Sequence, residues 1–150
     1  MDRGQDWWDR WFLGMAEYVS TASKDPSTKV GAVVVRSNHT IVSVGYNGFP
    51  RGIEDSERRL NNRELKYSLV VHAEANAILN TNEYLGGYTL YGGIPTHYAP
   101  TCNECAKLII QSGICRVVGR KLKGENNRWD NPHRIARDMY LEAGIIVDML

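Results

Sequence analysis

A chain of 150 residues is the usual size of one domain, and residues 1–150 are expected to fold as a single unit with a core of their own. Eighteen Lys and Arg against 17 Asp and Glu leave a formal net charge of +1, so there is no broad positive field to gather a nucleic acid polymer or an anionic membrane. No stretch approaches the ~18 apolar residues that span a bilayer, residues 1–10 lack the apolar core of a signal peptide, and three cysteines cannot all pair; the expectation is a cytoplasmic protein whose thiols are ligands or buried, with Cys115 a bystander.

In residues 7–22, Trp8, Trp11, Phe12, Met15, Tyr18, Val19 and Ala22 recur at helical spacing behind Asp6 as N-cap, which predicts an amphipathic first helix with its aromatic stripe in the core. Residues 23–29 are polar and include Pro26, so a loop leads into the apolar run 30–35; a turn at 37–40 then separates that run from 41–46, the pattern of a β-hairpin. Gly45, Gly48, Pro50 and Gly52 make the following segment loop-like, and residues 54–66, with no strong apolar period, are expected as loop with a short helix. Val71, Ala75, Ile78 and Leu79 predict a second long helix over 68–79, with His72 near its start. A short strand at 88–91, a helix at 102–111 closed by Gly113, a strand at 115–118, a helix from about 132 to 143 stopped by Gly144 and a strand at 145–149 complete the chain. This order predicts an α/β fold of three layers, α/β/α, around a central mixed sheet of about five strands.

Four residues carry chemistry: His72 and Glu74 in His-Ala-Glu, and Cys102 and Cys105 in Pro-Thr-Cys-Asn-Glu-Cys. One imidazole and two thiolates are three zinc ligands, and a catalytic zinc keeps its fourth position for water, whereas a structural zinc takes four protein ligands. Cys102 and Cys105 are three apart at a predicted helix start, so both thiols share a face and the positive end of the helix favours their thiolates. His72 and Glu74 are two apart and do not share a helical face, which separates a ligand from a general base. His-x-Glu followed by Cys-x-x-Cys resembles the signature of zinc nucleobase deaminases, in which zinc brings the pKa of water towards neutrality for attack at C4 of cytosine and the glutamate carries protons. The competing readings are a redox Cys-x-x-Cys, a chance His-x-Glu and a purely structural zinc site, the last of which would want a fourth protein ligand and have no use for Glu74.

Beyond the zinc motif, the segments Ser-Lys-Asp-Pro-Ser-Thr-Lys-Val-Gly-Ala-Val from Ser23, Gly-Tyr-Asn-Gly-Phe-Pro-Arg-Gly from Gly45, His-Ala-Glu-Ala-Asn-Ala-Ile from His72 and Cys-Asn-Glu-Cys-Ala-Lys-Leu-Ile-Ile-Gln-Ser-Gly-Ile from Cys102, with Arg128-Trp129, closely resemble the deoxycytidylate deaminase family of the cytidine deaminase-like superfamily. The resemblance implies hydrolytic deamination of dCMP to dUMP with release of ammonia, supplying dUMP for thymidylate synthesis, with Zn2+ held by His72, Cys102 and Cys105 and Glu74 as the catalytic residue. It implies substrate contacts at Asn47, Ser27, Lys29, Ala73 and Tyr98, with residues 23–29 lying over the active site. It also implies activation by dCTP and inhibition by dTTP, with Mg2+ on the triphosphate, in a hexamer. For the effector, backbone N–H groups left free around Gly45 and Gly48, together with Arg51, Lys66 and Asn76, are the candidate binding residues.

Lys29, Arg51 and Lys66 are the candidate phosphate partners, and Tyr67, Tyr98 and Trp129 the aromatic residues available to stack on a base, each against a plain surface or packing role. The chain departs from the family where Thr101 separates Pro100 from Cys102, so backbone contacts of the family are not carried over to residues 96–101. His97, in the unusual Gly-rich segment that follows Tyr91, reads as a solvent-facing or core histidine. The alternatives left open are a dCTP or dual dCMP/dCTP deaminase, a related deaminase of another base, and a non-catalytic nucleotide-binding zinc module.

Overall fold

The computed structural model describes residues 2–125 and 130–150. Eleven elements follow one another as α1 (Gln5–Ser20), β1 (Gly31–Val35), β2 (Ile41–Tyr46), α2 (Glu57–Asn61), α3 (Arg63–Leu69), α4 (Ala73–Leu79), β3 (Thr89–Gly92), α5 (Asn103–Ser112), β4 (Arg116–Gly119), α6 (Asp130–Glu142) and β5 (Ile146–Met149). The strands form one sheet in the order β2-β1-β3-β4-β5. β1 is antiparallel to both β2 and β3, while β3, β4 and β5 run parallel, so the sheet is mixed as the sequence suggests.

Strand β1, Gly-Ala-Val-Val-Val, is buried along its whole length because both faces of the sheet are covered, and a β-branched run tolerates that environment well. On one face Phe12, Leu13 and Ala16 of α1 pack on Val33, Val35, Tyr91 and Val118. On the other, Ala73 and Ala77 of α4, Ala106 and Ile109 of α5, and Ala136 and Tyr140 of α6 pack on Ala32, Val34, Leu90 and Val117. These are the three layers. No helix among the described residues is long and apolar enough to cross a membrane.

Three expectations need correction. Helix α1 starts at Gln5 behind Gly4 rather than behind Asp6, and its aromatic stripe is only partly core: Tyr18 is 79% exposed and Trp11 44%. The indoles find one another instead, with Trp7 and Trp11 stacked and Trp8 lying flat on the His39 ring at 4.5 Å. Residues 54–66, read as loop with one short helix, hold α2 and the start of a second helix, α3, begun by Asn62, whose side chain accepts from the Leu65 N–H. The long helix expected over 68–79 is two helices, because Val71 exchanges two backbone hydrogen bonds with Gly48 and draws residues 70–72 into extended conformation.

That break sets the site. It ends α3 at Leu69, leaves His72 extended as the N-cap residue of α4, and turns Glu74 into the first helical turn. Helix α4 is held against β2 at Gly45, where an added Cβ would stand 2.3 Å from both the Ala73 carbonyl oxygen and the Ala77 nitrogen. Gly45→Ala is therefore expected to lift α4 from the sheet, lowering stability by about 1–3 kcal/mol. Denaturant unfolding together with a zinc competition titration checks this: both stability and zinc affinity should fall, since His72 and Glu74 move with the helix.

Helix α5 ends on Gly113 at φ +86°, the left-handed C-cap that the sequence suggests, and Cys102 is its N-cap residue with Cys105 in the first turn. Thr101, just before it, is fully buried and its hydroxyl pairs with the Tyr140 hydroxyl on α6. The residue that departs from the family pattern thus ties the start of the cysteine helix to the last helix.

Candidate active site

The starts of α4 and α5 meet at one end of the sheet and bring three ligands together. His72 Nδ1 lies 3.5 Å from Cys102 Sγ and 3.3 Å from Cys105 Sγ, and the three donor atoms lie within 4.8 Å of one another. Tetrahedral zinc with Zn–S and Zn–N bonds of about 2.3 and 2.05 Å would hold such an N···S pair roughly 3.6 Å apart, so the donor set fits this metal in type and spacing. Three protein ligands leave the open position of a catalytic rather than a structural zinc.

Charge at the cluster follows from this crowding. Hydrogen bonding from Cys105 and contact with the His72 imidazole hold the Cys102 thiol well below the usual thiol range, while the neighbouring Cys102 and burial push Cys105 up. Two bare thiolates side by side repel, so the second proton leaves when a cation arrives. The hydrogen bond to Cys102 in turn raises the pKa of His72. Glu74 is 4% exposed with Oε2 3.5 Å from Cys105 Sγ, and loss of solvent pushes its carboxyl above the ordinary range.

These groups form one wall of a cavity of about 230 Å³. The 23–30 loop and α3 supply further lining through Asp25, Thr28, Val30, Lys66 and Tyr67. Asp25 Oδ1 accepts from the Ser27 and Thr28 N–H groups at 2.9 and 3.1 Å and from Lys66 Nζ at 3.0 Å. Burial alone would raise the Asp25 pKa, but these donors prevail and hold it below the usual carboxylate range. Lys66, 6% exposed, also donates to Ser27 Oγ at 2.7 Å. Asn47 ties the same loop to the end of β2: its Oδ1 accepts from Val30 N–H and its Nδ2 donates to the Thr28 carbonyl, each at 2.8 Å.

Asn47, Lys66, Ala73 and Tyr67 therefore line the cavity with His72, Glu74 and Cys102. Ser27 and Lys29 are exposed on the loop, and Lys29 Nζ donates to the Ser23 carbonyl. Tyr98 is not on the cavity wall: its hydroxyl accepts from Arg134 and its carbonyl from Arg137, which fasten it to α6. His97 is neither solvent-facing nor satisfied; it is half-buried, and its Nε2 has no partner among the described residues. Arg128 and Trp129 lie outside the described residues.

The residues named for an effector do not converge. Gly45 is buried in the sheet, where its small size serves the approach of α4. The Gly48 N–H is not free, because it donates to the Val71 carbonyl. Lys66 belongs to the cavity just described, while Arg51 reaches Asn80 and Asn76 donates to the Tyr46 carbonyl along the α4–β2 edge. Sequence reasoning does not single out Asp25 and His133. Asp25 stands in the quoted Ser-Lys-Asp-Pro segment, whereas His133, in a polar stretch of α6, carries no local signal.

Residues 6–120 match the family described as cytidine and deoxycytidylate deaminase zinc-binding region. The chain belongs to this family. Among deaminases, an uncharacterized deaminase in the luxG 3′ region of Aliivibrio fischeri is 42% identical over 144 residues, covering 95% of this chain and 93% of that protein. The deoxycytidylate deaminase of Homo sapiens is 42% identical over 117 residues, covering 74% of this chain and 63% of its own length. The probable deoxycytidylate deaminase of Drosophila melanogaster is 47% identical over 122 residues, at 74% and 58%. The chain thus spans about three-fifths of the length of these two deoxycytidylate deaminases. The crystal structure of dCMP deaminase from the cyanophage S-TIM5 in complex with dCMP and dUMP superposes with a TM-score of 0.73 at 25% identity, over 99% of this chain and 100% of that one.

Proposed function

We propose that residues 1–150 act as one zinc-dependent deaminase unit that converts dCMP to dUMP and ammonia in the cytoplasm. One observation carries this reading: a His/Cys/Cys cluster spaced for zinc, with the buried Glu74 carboxyl beside it, lines a cavity that Lys66 also lines. A sensor or structural zinc module needs neither the open fourth position nor Glu74. The deoxycytidylate deaminases among the relatives, and the cyanophage enzyme with dCMP and dUMP, support the choice of nucleotide.

Zinc, when bound by His72, Cys102 and Cys105, lowers the pKa of water towards neutrality and so supplies the nucleophile at pH 7. The protein's own part is proton traffic and position. Glu74 takes a proton from the attacking water and delivers it to N3 so that C4 becomes electrophilic and the oxygen adds there; it then takes the second proton from the hydroxyl now on C4 and gives it to the amine, so that the C4–N bond breaks, the C4 carbonyl forms and ammonia leaves. A carboxyl whose pKa is raised by burial suits a group that must both accept and return a proton near neutrality. Lys66, which lines the cavity, offers its ammonium to the 5′-phosphate, with Ser27 and the loop held by Asn47 around it.

Regulation by dCTP and dTTP with Mg2+, in a hexamer, is the remaining part of the proposal; it stands on the family resemblance alone. The test is ammonia release from zinc-loaded protein given dCMP, dCTP, CMP and deoxycytidine separately, with the product identified by chromatography. Turnover of dCMP with little of deoxycytidine is expected; silence on all four with zinc bound overturns the reading. Added dCTP should raise the rate and dTTP lower it, and no response to either removes the regulatory part.

A further inference from the structure

His133 lies in the first turn of α6 and is 2% exposed, yet it reaches the cavity wall beside Ile94 and Cys102. Its Nδ1 sits 2.6 Å from the Ala99 carbonyl oxygen, which can only accept, so Nδ1 carries a proton. No group among the described residues hydrogen-bonds Nε2. His133 lines the cavity with Nδ1 committed to Ala99, so among the described residues Nε2 is the ring nitrogen left to meet a ligand there.

Its polarity follows from the anchor. Burial disfavours the imidazolium and lowers the pKa of His133, despite the nearby Cys102 and Asp130 that favour charge. With Nδ1 keeping the proton for Ala99, the neutral ring presents Nε2 as an acceptor. The same electrostatic neighbours, Cys102 and His72, place the ring at the metal end of the cavity, where the reacting C4 edge of the base must lie. On cytosine that edge carries an amino group, a donor. On uracil the same position carries a carbonyl oxygen, a second acceptor facing the first.

We propose that His133 is a specificity residue whose Nε2 accepts a hydrogen bond from the cytosine amino group and opposes the uracil carbonyl, so that the site holds substrate more tightly than product. The inference rests on the cytosine-nucleotide reading given above. It assigns the preference for substrate over product to one ring nitrogen, apart from the zinc ligands and Glu74.

His133→Asn keeps an N–H for Ala99 and deletes the acceptor, so it separates recognition from packing. Calorimetric titration of dCMP and dUMP into zinc-loaded Glu74→Gln protein, where turnover is stopped, gives the ratio of the two dissociation constants. Adding His133→Asn should shrink that ratio about tenfold, the worth of one hydrogen bond made with substrate and opposed by product. Zinc content should not change, and the melting temperature should fall somewhat as the buried ring is trimmed, an effect that weakens both nucleotides alike and does not itself move the ratio. An unchanged ratio, or equal weakening of both nucleotides, overturns the proposal and leaves the ring a packing element. Should His133→Asn lose zinc, His133→Gln replaces it: its amide can turn to donate, so dUMP should bind as tightly as dCMP, and a preserved preference for dCMP would sink the idea. Failure of the otherwise unaltered protein to release ammonia from any cytosine nucleotide sinks the functional reading, and this inference with it; turnover of dCMP with an unmoved ratio sinks the inference alone.

Discussion

Glu74→Gln should retain its zinc and lose turnover by roughly 10²- to 10⁴-fold, the usual worth of a positioned general acid–base group. The substitution is nearly isosteric and keeps hydrogen-bonding capacity, but an amide cannot take a proton from water and hand it on. Its structural cost should be small. The carboxyl is buried beside a sulfur and already disfavours charge, so a neutral amide removes a desolvation penalty while filling the same space. Metal analysis by mass spectrometry, beside ammonia release, separates the two effects. Cys102→Ala provides the contrast: it removes a ligand from the cluster, so zinc, activity and stability should fall together. Full turnover by Glu74→Gln would remove this residue from the mechanism and direct attention to another proton carrier.

Glu74 is legible in the sequence and His133 is not, for a physical reason. Zinc ligation is a short-range demand met by residues two or three positions apart at helix starts, so the whole requirement sits in two short segments. The hairpin of β1 and β2 and the Gly113 cap are local in the same sense. What distant partners decide is hidden from a reading of neighbours. The helix expected over 68–79 breaks because Val71 pairs with Gly48, 23 positions earlier by their numbers. A lysine reads as a free cation, which suggests an effector phosphate for Lys66, but Asp25, 41 positions away, fixes it in the cavity wall. Tyr98 has the chemistry to stack on a base, yet Arg134 and Arg137 hold it on α6. His133 enters the site only through the path of α6, which no motif encodes.

Away from the chemistry, the largest stability effect is expected at Arg116, where one largely buried guanidinium joins α1, β4 and β5. It grips Asp9 with both terminal nitrogens, at 2.8 and 2.7 Å, and reaches Asp148 through Nε at 2.7 Å. Asp9 is 4% exposed, and Tyr91 and Gln5 also donate to it, at 2.7 and 2.8 Å. Arg116→Ala leaves that carboxylate buried without its cation and should cost about 3–5 kcal/mol, lowering the melting temperature by roughly 6–20 °C for a chain of this size. Zinc content and turnover at low temperature should persist, since Arg116 pairs with Thr89 at the start of β3 and the cavity wall follows the other end of that strand. The pH dependence distinguishes this from a simple loss of packing. In the unaltered protein burial would raise the Asp9 pKa, but Arg116, Gln5 and Tyr91 outweigh it and hold the pKa below its ordinary value. Its contribution is then present above the unfolded pKa of about 3.9 and is lost as pH falls through the lower folded value. Without the guanidinium, desolvation should prevail and raise the folded pKa above the unfolded one, so the folded state holds the extra proton and the Asp9 contribution to stability instead declines as pH rises from about 4. Urea titrations of both proteins between pH 3 and 7 should therefore show the gap between them widening towards neutrality; a gap constant across that range would mean that Arg116 acts through its hydrocarbon stem rather than through its charge.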